Sequence, residues 1–265
     1  MQPNLLQTSL PLSILVTRPD PAGSKLCQSI ESQGDHAIHF PTIVFLSPRD
    51  EKILQQQGGA LHEQACIIFV SPQAVYSSLS FFKSYFPLPA PIQIAAVGKG
   101  TAEALKEAGF HSALYPEEEW GSVGLLQLPY FYSIANKKIA IICGEQGRDL
   151  LEKTLQARGA EVSCIVTYRR ALPTLPLHFD GTFLKQKKID VVIGASGESI
   201  RNLKILLEKE MWPLLSFIPL IVASERIKTL AEHLGFQTIW VARNASFKAI
   251  FEILAERRKE ICQIK

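Results

Sequence analysis

The chain repeats itself at one spacing, and that spacing limits the folds open to it. LCQSIESQGDHAIHFPTI resembles LEKTLQARGAEVSCIVTY, with Gly34 opposite Gly159. CIIFVSPQAV resembles DVVIGASGESI, with Ser71 opposite Ser196. AAVGKGTAEALKEAGF resembles LIVASERIKTLAEHLGF, with Gly109 and Phe110 opposite Gly235 and Phe236. The offsets are 125, 125 and 126 residues. A looser match sets Trp120 to Leu128 beside ARNASFKAIFEIL. A repeat this long marks duplicated domains rather than a solenoid, and 265 residues is room for two of ordinary size.

Within each repeat, apolar runs alternate with amphipathic stretches. ILVT is followed by a helical pattern from Pro21 to Gln33, then Gly34, then another run. CIIFV, IQIAAV, KIAII, DVVIGA and PLIVA recur in the same rhythm. This is the βαβ pattern of a parallel sheet covered by helices. The expected fold is therefore α/β: two similar domains with parallel sheets flanked by helices. Each run ends in a small or polar residue at a helix start, where free N–H groups and the helix dipole favour anions. In such proteins the ligand is expected between the domains, at the carboxyl ends of the strands.

Hydrophobic residues make up 47% and charged residues 20%, a globular composition that buries a core without metal or disulfide staples. A net charge of +3 mildly favours an acidic small molecule and falls short of the basic stripe of a nucleic-acid binder. The five cysteines, Cys27, Cys66, Cys143, Cys164 and Cys262, include no CxxC pair and read as reduced thiols of a cytoplasmic protein. MQPNLLQTSLPLS has no signal-peptide pattern, and the longest apolar run, MWPLLSFIPLIVAS, is too short and proline-broken to span a bilayer. GKGT lacks Walker spacing, and the scattered histidines His36, His39, His62, His111, His178 and His233 lack ligand spacing, so neither a P-loop nor a metal site is expected. The three glutamates before Trp120 read as a solvated loop.

Taken in order, these segments resemble the uroporphyrinogen-III synthase family over nearly the whole chain. LVTRP is similar to the family's opening strand and turn, FVSPQAV to its Thr-Ser-x-Asn-Ala-Val element, and AVGKGTAEALKEAGF to its Gly-x-x-Thr-Ala helix start. CGEQGRDLLEKTLQARGAEV resembles its Arg-Gly-x-x-Gly-Arg segment, and VTYRR its Val-x-Tyr element. GASGESI and SERIKTLAEHLGF complete the set. Cys143 stands where an arginine is common, Gln73 where an asparagine is common, and Pro72 is an unexpected neighbour.

The resemblance implies a chain that leaves one domain, completes the other and returns by a two-stranded linker, near HFPTIVFLSP and IVTYRRALP. One domain would be residues 1–40 plus 172–265, the other 41–171, with Pro41, Pro48, Pro173 and Pro176 suited to linker strands. It implies a cyclising hydro-lyase of tetrapyrrole (haem) biosynthesis, closing hydroxymethylbilane to uroporphyrinogen III with loss of water and inversion of ring D. It also implies no cofactor and no metal, no nucleic-acid or membrane partner, and a monomer in transient contact with the preceding pathway enzyme. A tetrapyrrole-binding protein of the same fold without activity is the alternative. A nucleotide-sugar transferase would need an anchoring signature that the sequence lacks.

For such a substrate, SCIVTYRRALP offers Tyr168 as the acid, since a phenol, with a reference pKa near 10, keeps its proton at neutral pH. Strand alternation then turns Arg169 away from Tyr168 and Arg170 toward the same side. The candidate donors to substrate carboxylates are Thr17, Ser71, Gly98, Thr101, Ser122, Gly144, Ser196, Gly197, Ser199 and Ser224. Each hydroxyl among them also suits an ordinary helix N-cap. Arg18, Lys99, Arg148 and Lys228 are the candidate cations, and each also suits a solvated surface position.

Overall fold

The computed structural model describes residues 10–82, 92–119, 121–145, 149–174, 188–207 and 211–264. The chain opens with β1 (Ser13–Val16), α1 (Ala22–Glu31) and β2 (His36–His39). It continues through β3 (Val44–Leu46), α2 (Glu51–Gly59), β4 (Cys66–Phe69), α3 (Pro72–Phe82), β5 (Gln93–Ala96), α4 (Lys99–Glu107), α5 (Ser122–Leu126), β6 (Lys138–Gly144), α6 (Asp149–Ala157) and β7 (Glu161–Ala171). It closes with β8 (Val191–Gly194), α7 (Gly197–Leu206), α8 (Trp212–Ser216), β9 (Leu220–Val222), α9 (Glu225–His233), β10 (Ile239–Val241) and α10 (Phe247–Ile264). Contacts divide it into two compact units, Met1–Val44 with Ala171–Lys265, and Phe45–Arg170.

Each unit holds a five-stranded sheet. The orders are β10-β9-β8-β1-β2 and β3-β7-β6-β4-β5. The pairings β1 with β2 and β8, β8 with β9, and β9 with β10 are all parallel. So are those of β4 with β5 and β6, and of β6 with β7. The sequence repeat is thus a topological repeat: β9-β8-β1-β2 has its counterpart in β5-β4-β6-β7. A single parallel bridge, Ala95 with Leu114, stands where β10 stands in the other sheet.

Continuous apolar runs form these strands because both faces of each sheet are covered. Alternate residues go to opposite cores. Leu15 and Val192 meet Ile200, Leu203, Ile227 and Ala231 of α7 and α9. Ile14, Val16, Val191 and Ile193 meet Leu26 and Ile30 of α1 and Ile250 and Leu254 of α10. In the other unit Ile67, Phe69, Ala140 and Ile142 face α3 and α4, while Ile68, Ile139, Ile141 and Cys143 face α5 and α6. Cys66 and Cys143 are buried, and all five cysteines are free thiols. Among the described residues no helix is long and apolar enough to cross a membrane.

The glycines that anchored the repeat do one job four times. Gly34, Gly109, Gly159 and Gly235 have φ of 87°, 96°, 84° and 105°. Each follows a helix, and the amide after it bonds back to the helix: Asp35 to Ile30, Phe110 to Leu105, Ala160 to Leu155, Phe236 to Ala231, at 2.9–3.4 Å. These are Schellman caps, and an L side chain in that left-handed conformation costs about 1–2 kcal/mol. Gly109→Ala and Gly235→Ala are each expected to lower the stability read from urea unfolding by that amount. Neither glycine has a neighbour within 4 Å of an added Cβ, so the loss is backbone strain alone. Gly59→Ala, with φ of −60°, is the control and leaves the midpoint unchanged or raises it.

Candidate active site at the carboxyl edge of each sheet

Parallel pairing brings the carboxyl ends of neighbouring strands out at one edge of each sheet, next to the starts of the helices that follow. In the unit of β1 and β8, that edge carries Thr17 and Arg18 after β1, Ser196 and Gly197 after β8, and Ser224 after β9. Thr17 is fully buried. Its amide and hydroxyl both donate to the Ile193 carbonyl, at 3.2 and 2.8 Å. Its hydroxyl stitches β1 to β8.

Arg18 is the most distinctive group on this edge. Its guanidinium donates to the Ala245 carbonyl and lies 5.8 Å from the centre of the Phe247 ring. Burial pushes its pKa down from the ordinary arginine value. No carboxylate pairs with it among the described residues, so the site holds a desolvated cation whose bonds go to a neutral carbonyl. Its backbone is held as well: His39 Nε2 donates to the Arg18 carbonyl at 2.9 Å. A Cβ on Gly23 would collide with both of those groups, so only glycine permits the approach.

The serines cap helices. Ser196 Oγ accepts from the Ser199 amide at 3.0 Å, and the two hydroxyls lie 2.7 Å apart. Ser199 is therefore part of the cap and is buried. Ser224 Oγ accepts from the Ile227 amide at 3.4 Å. In each case the remaining first-turn amides stay available at the edge. A Cβ on Gly197 would lie 2.8 Å from Leu230 Cδ2, so this glycine lets α7 pack close to α9. Lys228 lies 4.0 Å from Glu225 in an exposed pair, and its charge is partly matched.

On the other edge, Ser71 caps α3 by accepting from the Ala74 amide at 3.0 Å. Pro72, unexpected in the sequence, occupies the first helical position, where its missing N–H has no partner to lose. Gly98 is extended, with φ of 179°, and its carbonyl accepts from the Thr101 amide at 3.1 Å. Thr101 is buried. Ser122 Oγ is enclosed and has no hydrogen-bond partner. Arg148 lies outside the described residues.

Tyr168 is oriented by a break in simple strand alternation. Simple alternation puts Thr167 and Tyr168 on opposite faces of β7. The register shifts instead: Cys143 pairs with Val166, but Gly144 pairs with Tyr168. The extra residue turns both Thr167 and Tyr168 toward α3. Thr167 Oγ1 lies 2.8 Å from Ser77 Oγ, and Tyr168 Oη lies 3.1 Å from Ser71 Oγ. Tyr168 is only 4% exposed. Its ring meets Phe45 edge-on at 5.3 Å. It is a core residue whose hydroxyl reaches the edge, rather than a rim residue. Alternation resumes after the shift, so Arg169 faces the α5 and α6 side and Arg170 is exposed.

Two edge residues escaped the sequence reading. His39 gives no local signal, because its role is to hold the backbone of a residue 21 positions away. Ser246 accepts from the Ala249 amide at 3.3 Å and caps α10. Its signal was present in the serine just ahead of an apolar periodic run.

Gly144 fixes the tyrosine. A Cβ there would lie 2.7 Å from Tyr168 Cε2 and 2.8 Å from Cζ. Gly144→Ala is expected to push the ring off Ser71 and lower stability by about 1–3 kcal/mol. Near-ultraviolet circular dichroism and the urea midpoint check this; an unchanged tyrosine signal contradicts it.

Known proteins share this architecture. The family model described as uroporphyrinogen-III synthase HemD matches residues 24–252. The uroporphyrinogen-III synthase of Escherichia coli (strain K12) is 36% identical over 251 residues, covering 92% of this chain and all of that protein. That of Salmonella typhimurium is 34% identical over 92% of this chain and all of its own length. Among solved structures, uroporphyrinogen-III synthetase from Helicobacter pylori 26695 aligns with a TM-score of 0.60 at 16% identity, covering 92% of this chain and 99% of that one. A mutant uroporphyrinogen III synthase from the extremely thermophilic bacterium Thermus thermophilus aligns with a TM-score of 0.57 at 17% identity, covering 94% and 99%. The chain belongs to the uroporphyrinogen-III synthase family.

Proposed function

We propose that this chain closes hydroxymethylbilane to uroporphyrinogen III, with inversion of ring D and loss of one water, in tetrapyrrole (haem) biosynthesis. Family membership across nearly the whole chain carries this conclusion. The hydroxymethyl carbon loses its C–O bond; turning ring D breaks the carbon–carbon bond that joins it to its neighbouring methylene and makes two, one from each α-carbon of the ring, while the free α-carbon gives up a proton and the hydroxide leaves as water. No net electrons move, so the equation balances without an oxidant or reductant.

The chemical demand is for selectivity. The bilane loses its hydroxyl unaided and closes without inversion. A ~100-fold preference for the inverted route needs about 2.7 kcal/mol of differential stabilisation, within reach of holding a flexible chain in one folded shape. The carboxyl edges have the means. First-turn amides at Ser71, Gly98, Ser196, Gly197 and Ser224 are donors suited to carboxylates. Arg18, buried beside a carbonyl and a ring, gains most from an arriving anion, because a desolvated guanidinium and a carboxylate form a charge-assisted pair.

We propose Tyr168 as the proton donor, a role its contact with Ser71 allows when the serine supplies the proton of that bond. Ser71 Oγ already accepts from the Ala74 amide. Its own proton is therefore free to point at Tyr168 Oη, 3.1 Å away. That leaves the phenolic proton for the departing hydroxyl of the substrate. Ser71 orients and Tyr168 donates.

Chromatography of the oxidised products tests the function: freshly made hydroxymethylbilane should yield mainly uroporphyrin isomer III. Isomer I alone, at the spontaneous rate, overturns it. Tyr168→Phe keeps the ring against Phe45 and should lower kcat by roughly 10- to 100-fold with little change in urea midpoint. Wild-type turnover in that variant removes Tyr168 from the mechanism.

A further inference from the structure

We infer that Arg169 binds a carboxylate of the tetrapyrrole at the carboxyl edge of the β7 sheet, a role that rests on the functional reading above. By strand alternation alone it was the arginine turned away from the acid, and Arg170 was the one expected to serve. The structure keeps that alternation, and burial sets the two apart. Arg170 is exposed, while Arg169 is partly buried at the end of β7.

Three observations converge on Arg169. After the register shift at Gly144 and Tyr168, strand alternation assigns it to the face of Cys143 and Val166. Its Nε is enclosed and has no hydrogen-bond partner. The terminal nitrogens are not among the enclosed unpartnered atoms. No carboxylate answers it among the described residues: Glu145, whose amide bonds to the Tyr168 carbonyl, pairs instead with Arg49 at 3.6 Å.

A guanidinium partly buried and without an acid among the described residues is a poor structural element and a good receptor. Its two outer nitrogens suit a carboxylate approaching end-on. It adjoins Tyr168 in sequence but occupies the opposite face of the strand. It therefore grips an acid side chain of the substrate and takes no part in proton transfer.

The test uses the full chain and three variants, Arg169→Gln, Arg169→Lys and Arg170→Gln. With hydroxymethylbilane, Arg169→Gln should raise KM by about 10-fold with kcat within about 2-fold, the loss of one charge-assisted bond. Arg169→Lys should recover part of that loss, and Arg170→Gln should match wild type. Without ligand, the melting temperature of Arg169→Gln should equal or exceed that of wild type. The shift that uroporphyrin III induces in it should shrink. This last readout needs no turnover, so it separates failure of the Arg169 role from failure of the catalytic assignment. An unchanged KM and an unchanged uroporphyrin III shift overturn the inference. A fall in kcat and in unliganded melting temperature that lysine does not repair also overturns it, since that marks a structural residue.

Discussion

Parallel pairing is the constraint on which the rest depends. A parallel strand returns to the start of its neighbour only through a covering helix, so every strand end is followed by a helix start. In both sheets these junctions fall along one edge. The residues that follow β1, β8 and β9 in one sheet, and β4 and β5 in the other, read in the sequence as small or polar strand ends. Register makes them neighbours within each sheet. The apolar runs that form the strands have no polar group to offer a ligand, and the edge has many.

Within that frame, most edge hydroxyls serve the fold first. Ser71, Ser196, Ser224 and Ser246 each hold a helix start, and Thr17 ties two strands together. Capping leaves neighbouring amides as donors suited to an anion. Two arginines stand apart from this pattern. Arg18 and Arg169 both follow or end a strand, both are partly buried, and neither has a carboxylate partner among the described residues. Cations kept away from acids at an edge rich in N–H groups match a substrate whose charge is carried by carboxylates.

Period and punctuation carried the fold into view. The recurrence of Gly34 in Gly159 and of Gly109 in Gly235 recorded four identical helix ends, and φ values near 90° show why only glycine serves. Strand runs read as buried on both faces proved to be so. The orientation of Tyr168 was not legible, because one extra residue opposite Gly144 shifts the face of everything after it, and no local pattern announces a bulge. The burial of Arg169 and the exposure of Arg170 were likewise not legible in strand alternation. His39 was illegible for a different reason: its partner, the Arg18 carbonyl, is a backbone atom brought close by the pairing of β1 with β2. Thr17 looked like any other edge hydroxyl until the carbonyl of Ile193 claimed it.

Hydrogen exchange, with and without uroporphyrin III, tests most directly whether the carboxyl edges hold the tetrapyrrole. Slowed exchange concentrated at Gln73–Ala74, Lys99–Thr101, Gly197–Ser199 and Glu225–Ile227, the first turns of α3, α4, α7 and α9, is the predicted result. Unchanged exchange there, or protection confined to the opposite edges where α4 and α9 end at Gly109 and Gly235, would contradict it.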